Sequence, residues 1–143
     1  MTFLLDVNVL IALIDPNHIE HDSAHEWFAV QGRESWATCP LTENGVLRIL
    51  GHPSYPNSAG TPAAAAPLVA GLVELPGHIF WPDNISLLST AKFNMARLLT
   101  SGQVTDSYLL ALASAHMGQL ATFDRRLVTD AVHNGAKNLH LIG

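Results

Sequence analysis

Apolar positions along the chain fall in short runs closed by turn residues, and the runs alternate between two periods. Residues 2–6 (TFLLD) form a dense apolar run that predicts a first buried strand, and residues 8–14 a short helix behind it. Asp15-Pro16-Asn17 breaks the chain. A second helix is expected over residues 20–31, with Ala24, Trp27 and Phe28 as its apolar stripe, and residues 35–39 read as a second strand. Pro40 suits the first turn of a helix running to Leu50. Residues 51–61 are rich in Gly and Pro and read as a loop. Thr61-Pro62 then opens an alanine-rich helix to about residue 75, which Pro67 and Gly71 are expected to bend or shorten. A third strand is predicted over residues 78–81. Asp83 or Ser86 is expected to cap a helix ending near Leu99, and Thr105 to cap another ending near Met117. Residues 120–123 and 139–142 complete five strands. Strands alternating with helices predict an α/β fold, with a parallel sheet covered on both faces.

Four acids gain meaning on that frame. Asp6 ends the first strand and Asp124 follows the fourth. In open parallel sheets, ligands gather beyond the carboxyl ends of strands, where strand order reverses. Taken alone, either Asp is an ordinary turn or helix-cap residue. Glu43 shares a helical face with Val46, Leu47 and Leu50. Asp106 shares one with Leu109, Leu110, Ala113 and Met117. Such stripes turn toward a core, so each acid stands at the rim of an apolar interior. An ionised carboxylate there must be paired or coordinate a metal. The bland alternatives are a salt bridge from Glu43 to Arg48 and a favourable helix-dipole position for Asp106. Neither explains four acids from four elements aimed at one edge.

Four segments, LLDVNVLIAL, LTENGVLRIL, VTDSYLLALA and ATFDRRL, resemble in order and spacing the acidic motifs of PIN domains, most closely those of VapC toxins of bacterial toxin–antitoxin pairs. The resemblance spans essentially the whole chain, so residues 1–143 are expected to form a single PIN domain. It implies an α/β/α sandwich with a central parallel sheet of about five strands in the order 3-2-1-4-5. Carried over residue by residue, it assigns the metal-binding acids to Asp6, Glu43, Asp106 and Asp124. It gives Asn8 a supporting polar role beside the metal centre. The implied activity is a metal-dependent endoribonuclease that cleaves structured RNA, either tRNA or ribosomal RNA. An all-carboxylate site suits one or two hard cations such as Mg²⁺ or Mn²⁺. The resemblance also implies a homodimer and a cognate antitoxin whose tail fills the acidic groove.

Composition qualifies this picture. The chain holds 7 Lys and Arg against 12 Asp and Glu, a formal charge of −5 that is awkward for an RNA-handling protein. Two divalent cations in the acidic site would offset most of it. Charged residues make up only 13% of the chain, against about 25% in typical domains, so a carboxylate at an apolar rim is the more notable. The single Cys39 excludes an internal disulfide framework and an all-cysteine metal site. The short apolar start has no basic flank, and no run reaches the roughly 20 residues of a membrane span, so a cytoplasmic protein without membrane attachment is expected.

Other candidate chemistry competes with simpler readings. His21 and His25 lie one turn apart near His18, a spacing that can chelate zinc, but no Cys or HExxH motif joins them and solvent-facing histidines are the favoured reading. Arg125 or Arg126 could grip phosphate beside the acids or merely sit in a solvated turn. Trp27, Phe28, Trp36 and Trp81 read as core. Ser107 has no nearby His for a triad. Two further classes stay open. One is a phosphatase or dehalogenase with Asp6 as nucleophile, although a second Asp at position 8 and a mid-chain lysine motif are missing. The other is a catalytically silent PIN-like binding module. Residues 63–75 and the second helix are the candidate contact surfaces for protein partners.

Overall fold

A computed structural model describes residues 1–143. Five strands, β1 (Phe3–Leu5), β2 (Trp36–Thr38), β3 (His78–Phe80), β4 (Gln119–Thr122) and β5 (Leu139–Leu141), form one sheet in the order β3-β2-β1-β4-β5. Every adjacent pair is parallel. Strand side chains alternate between faces, and the two cores follow that alternation. Phe3, Leu5, Trp36 and Ala121 enter one apolar cluster, and Leu4, Ala37 and Leu120 enter the other. The first cluster is covered by α1 (Val7–Ile14), α2 (His21–Trp27), α3 (Pro40–Leu50) and α4 (Pro62–Val73), and the second by α5 (Gln103–Ala115). The expected α/β/α layering and strand order are observed. Trp27, Trp36 and Trp81 are all core.

Close packing sets the relation between α1 and α3. Gly45 lies against the first turn of α1, and a Cβ there would stand 2.8 Å from Val7 Cγ2. The first turn of α1 is therefore held close against the second turn of α3. Gly77, at φ +89°, makes the turn into β3, where a Cβ would also run into the Arg33 carbonyl.

Local expectations fail where long-range contacts capture the backbone. No α-helix spans Asp83 to Leu99. Phe93 instead bridges Val132 in antiparallel fashion, with Asn94 N–H donating to Ala131 O and His133 N–H to Lys92 O, and only a 3-10 turn over Met95–Arg97 remains. Asp83 caps a different helix: its Oδ2 accepts from Leu41 N–H at 3.0 Å, closing the N-terminus of α3. Thr105 is no cap either. Helix α5 begins at Gln103, whose buried amide oxygen accepts from Leu99 N–H at 2.8 Å and Thr100 N–H at 2.9 Å, stapling the preceding turn to the helix. The helix from residue 20 loosens into a π-turn over Phe28–Gly32, and α4 runs through Pro67 to Val73.

The two ends of α1 are finished by side chains. His21 Nδ1 lies 2.7 Å from Ala12 O and His25 Nε2 2.8 Å from Leu13 O, so this pair satisfies carbonyls of the last turn. His25 is exposed and His21 half-buried, so the solvent-facing reading holds in part, with one nitrogen of each ring turned to backbone; no third His, Cys, Asp or Glu stands close enough to complete a metal site. Buried Asp15 follows the helix and accepts from Asn17 N–H at 2.9 Å, Asn57 Nδ2 at 2.7 Å and the Tyr55 hydroxyl, which anchors the 51–61 loop. Burial opposes ionisation of Asp15, but these three donors outweigh it and hold the carboxyl below its ordinary range.

Met117 is 86% exposed, not part of the α5 stripe expected of it. It occupies the left-handed position after α5 at φ +56°, with Gly118 N–H donating to Ala113 O and its own N–H to Ser114 O, a Schellman closure. Met117→Gly is therefore expected to stabilise the fold by about 0.5–1 kcal/mol, by removing the Cβ strain of that conformation. An unchanged or lower urea midpoint would contradict this.

Candidate functional site

Strand β1 delivers Asp6 to the carboxyl edge of the sheet, next to β4 and at the point where strand order reverses. Asp6 is 7% exposed and caps α1, with Oδ1 accepting from Val7 N–H at 2.8 Å. Its Oδ2 accepts from the Thr122 hydroxyl at 2.7 Å. Thr122 ends β4, is fully buried, and ties the edge together. Its oxygen also accepts from Asn8 Nδ2 at 3.1 Å and Asp124 N–H at 3.0 Å, while Asn8 Oδ1 accepts from Phe123 N–H at 3.3 Å. One hydroxyl thus sets the positions of Asp6, Asn8 and the Asp124 backbone.

Asp124 leaves β4 in a turn that its own Oδ1 closes by accepting from Arg126 N–H at 2.9 Å. Asp106 stands in the first turn of α5, half-buried. The charges of neighbouring aspartates reach both Asp6 and Asp106. Desolvation and the charges of Asp6 and Asp124 push the Asp106 carboxyl up to about 6. Burial raises Asp6 above its ordinary value, the Thr122 and Val7 hydrogen bonds oppose that rise, and the Asp124 charge adds to it. No cationic side chain figures among the influences on either.

Glu43 is placed differently. It lies in the first turn of α3, behind the Asp83 cap, and its Oε2 accepts from the Thr38 hydroxyl at 2.7 Å. That bond, not a salt bridge to Arg48, holds it. Thr38 ends β2, is fully buried, and lies 2.7 Å from His78 Nε2. Because the single Thr38 proton goes to the carboxylate, His78 must donate from Nε2. Burial pulls the His78 imidazole below its usual range, and the Glu43 charge works against that pull.

The structure gathers Asp6, Asn8, Asp106 and Asp124 at the β1–β4 edge and sets Glu43 against β2. No three His, Cys, Asp or Glu side chains stand close enough to hold an ion as they are placed. The arrangement is an open set of oxygen donors, which suits a hard cation that keeps part of its water. Arg125 does not face the acids: its guanidinium donates to Gly143 O at 2.9 Å. Nothing local in the sequence marks Thr122 or Thr38, since a threonine ending a strand is also an ordinary strand former. The one available signal is spacing: Thr122 stands two residues before Asp124 and Thr38 five before Glu43. Buried Cys39, its thiol pushed up to about 11 by desolvation, is chemically quiet.

Comparison with known proteins gives a consistent family. The PIN domain model matches residues 3–130. The chain is 42% identical to Ribonuclease VapC44 of Mycobacterium tuberculosis over 141 residues, covering 99% of this chain and 98% of that protein. It is 43% identical to Ribonuclease VapC39 of the same organism over 131 residues, covering 92% and 94%. Among solved structures, the crystal structure of Mycobacterium tuberculosis VapC20, a sarcin-ricin loop cleaving toxin, superposes with a TM-score of 0.53 at 15% identity over 80% of each chain. That last likeness concerns the fold.

Proposed function

The chain belongs to the PIN-domain family, among its VapC-type ribonucleases, and on that footing we propose that it is an endoribonuclease toxin whose site is the acidic edge of the sheet. Asp6, Asp106 and Asp124 hold one or two divalent cations, Mg²⁺ or Mn²⁺, with Glu43 as the fourth acid. The observation that carries this reading is the pair of raised carboxyls, Asp6 and Asp106, which stand at one edge beside Asp124 with a neighbouring aspartate's charge on each and no cationic partner. An arrangement that disfavours its own ionisation is relieved by a bound cation.

A divalent cation, when bound, supplies charge neutralisation at a backbone phosphate and makes water a competent nucleophile. The protein's part is positional. Thr122 fixes the Asp6 carboxylate, Asn8 fixes Thr122, and the α5 terminus presents Asp106 from the opposite face of the sheet. Both Asp6 oxygens already accept hydrogen bonds, which speaks against covalent attack through Asp6. Structured RNA, either tRNA or ribosomal RNA, is the proposed substrate, and the cytoplasm the proposed place of action.

A cognate antitoxin would place an arginine against these aspartates, excluding the cation by charge pairing. A homodimer is proposed as well. Helix α4 has no charged residue and exposes Leu68 by 51%, and its outer face is the surface assigned to protein partners.

Purified protein is expected to cleave total bacterial RNA in Mg²⁺ or Mn²⁺ and to stop in chelator. Cleavage that persists in chelator would reject the metal. Added Mn²⁺ that neither raises the melting temperature nor starts cleavage would favour a catalytically silent module.

A further inference from the structure

Two threonines occupy equivalent places at the sheet's carboxyl edge. Thr122 is the last residue of β4 and Thr38 the last of β2; both are fully buried, and each hydroxyl donates to a single acid, Asp6 or Glu43, at 2.7 Å. The Thr122 side is backed by Asn8, already assigned to the site. The Thr38 side is backed by His78, at the start of the edge strand β3, which the activity described so far does not use.

A polar residue on an edge strand is ordinarily solvent decoration. His78 is not placed that way. Its neighbours Ile79 and Phe80 are 42% and 51% exposed, while its own ring turns inward and packs on fully buried Trp36, with ring centroids 4.7 Å apart. Register supports this: Trp36 pairs with His78 and Thr38 with Phe80, so Thr38 and His78 are diagonal neighbours on one face of the sheet. The ring is held by Trp36 and its Nε2 proton is directed at Thr38. Thr38 in turn has one proton to give, and Glu43 receives it. The order of donation, His78 to Thr38 to Glu43, is fixed by the inventory of protons.

We propose that Thr38 and His78 are positioning residues for Glu43, engaging Oε2 and leaving Oε1 to serve the divalent cation or one of its waters. Outer partners of a ligating carboxylate orient it and tune its affinity. Without the arm, Glu43 on its flexible stem would have to be ordered at the moment of binding, and the entropy of that ordering would fall on the cation. The inference rests on the metal-dependent reading of the acidic edge.

The test is Mn²⁺ titration calorimetry on the full chain without RNA, joined to the Mn²⁺ concentration that half-saturates RNA cleavage. Thr38→Val removes the relay hydroxyl and His78→Phe keeps the ring packing but removes the donor. Each is expected to weaken Mn²⁺ binding and raise the half-saturating concentration about tenfold. Thr38→Ser and His78→Gln, which keep the donors, should stay close to wild type. Melting temperatures in chelator separate this pattern from loss of fold, and His78→Phe at the sheet edge keeps the test valid should Thr38→Val fold poorly. His78→Phe binding Mn²⁺ like wild type, beside an Asp106→Asn control that does not bind it, would overturn this inference alone. Wild type that binds no Mn²⁺ would overturn the underlying reading and this inference with it.

Discussion

Replacing Asp106 with Asn is expected to abolish RNA cleavage while making the metal-free protein more stable. The two effects share one origin. The Asp106 carboxyl is pushed up to about 6 by desolvation and by the charges of Asp6 and Asp124. A cation held there should contribute several kcal/mol to stabilising the reaction's charge, so losing this acid should cost about 10³-fold in rate. In chelator the same acid is a liability. A carboxyl whose folded value lies above its unfolded one binds its proton more tightly in the fold. The associated stability is present in acid, below the ordinary value of 3.8, and is lost as pH rises through about 6. Wild type in chelator should therefore fall behind Asp106→Asn between pH 4 and 7, by about 1 kcal/mol once solvent screening of a half-exposed group is allowed for. Mn²⁺ should reverse the order, raising the wild-type melting temperature and leaving the variant unmoved. A variant that melts lower than wild type in chelator at pH 7.5, or that still cleaves RNA, contradicts the account.

Thr122→Val should be the most damaging change outside the acids. Valine keeps the β-branched shape but removes the donor to Asp6 and the acceptor for Asn8 Nδ2 and Asp124 N–H. Leaving a buried carboxylate short of a hydrogen bond costs roughly 2 kcal/mol, visible as a lower urea midpoint. Cation affinity should fall by about 10–100-fold, because Asp6 and the Asp124 turn lose their common support. Thr122→Ser, which keeps the hydroxyl, should recover most of both. A valine variant with wild-type Mn²⁺ dependence would mean that the shared hydroxyl is incidental.

What the sequence made legible follows from how local each feature is. The dense run ending at Asp6 and the helix opened by Pro40 depend on neighbours in the chain, and both appear where expected. The four acids stand out from strand ends and helix stripes, while the strand order and their metal-binding role are what the family resemblance implies. What stayed hidden depends on residues far apart. The Phe93–Val132 bridge took the backbone that a helix after Asp83 would have used, and Asp83 itself went to α3. His21 and His25 look like a ligand pair until the carbonyls of α1 are placed beneath them. Thr38, Thr122 and His78 carry no local mark. Their roles appear only when β2, β3, β1 and β4 lie side by side.

Helix α1 is bracketed by two acids with opposite leanings. Asp6 at its start is raised despite the favourable end of the helix dipole, and Asp15 after its close is lowered despite the unfavourable one. Acidification therefore pulls eight residues two ways: it quiets the crowded carboxylates at the head and releases Tyr55 and Asn57 at the tail. As the pH falls, the raised carboxyls of Asp6 and Asp106 should take up protons first, and the 51–61 loop should be freed only in stronger acid, below the ordinary carboxylate value of 3.8. The two ends of this helix would then answer acid in sequence, the head in mild acid and the tail only in strong acid.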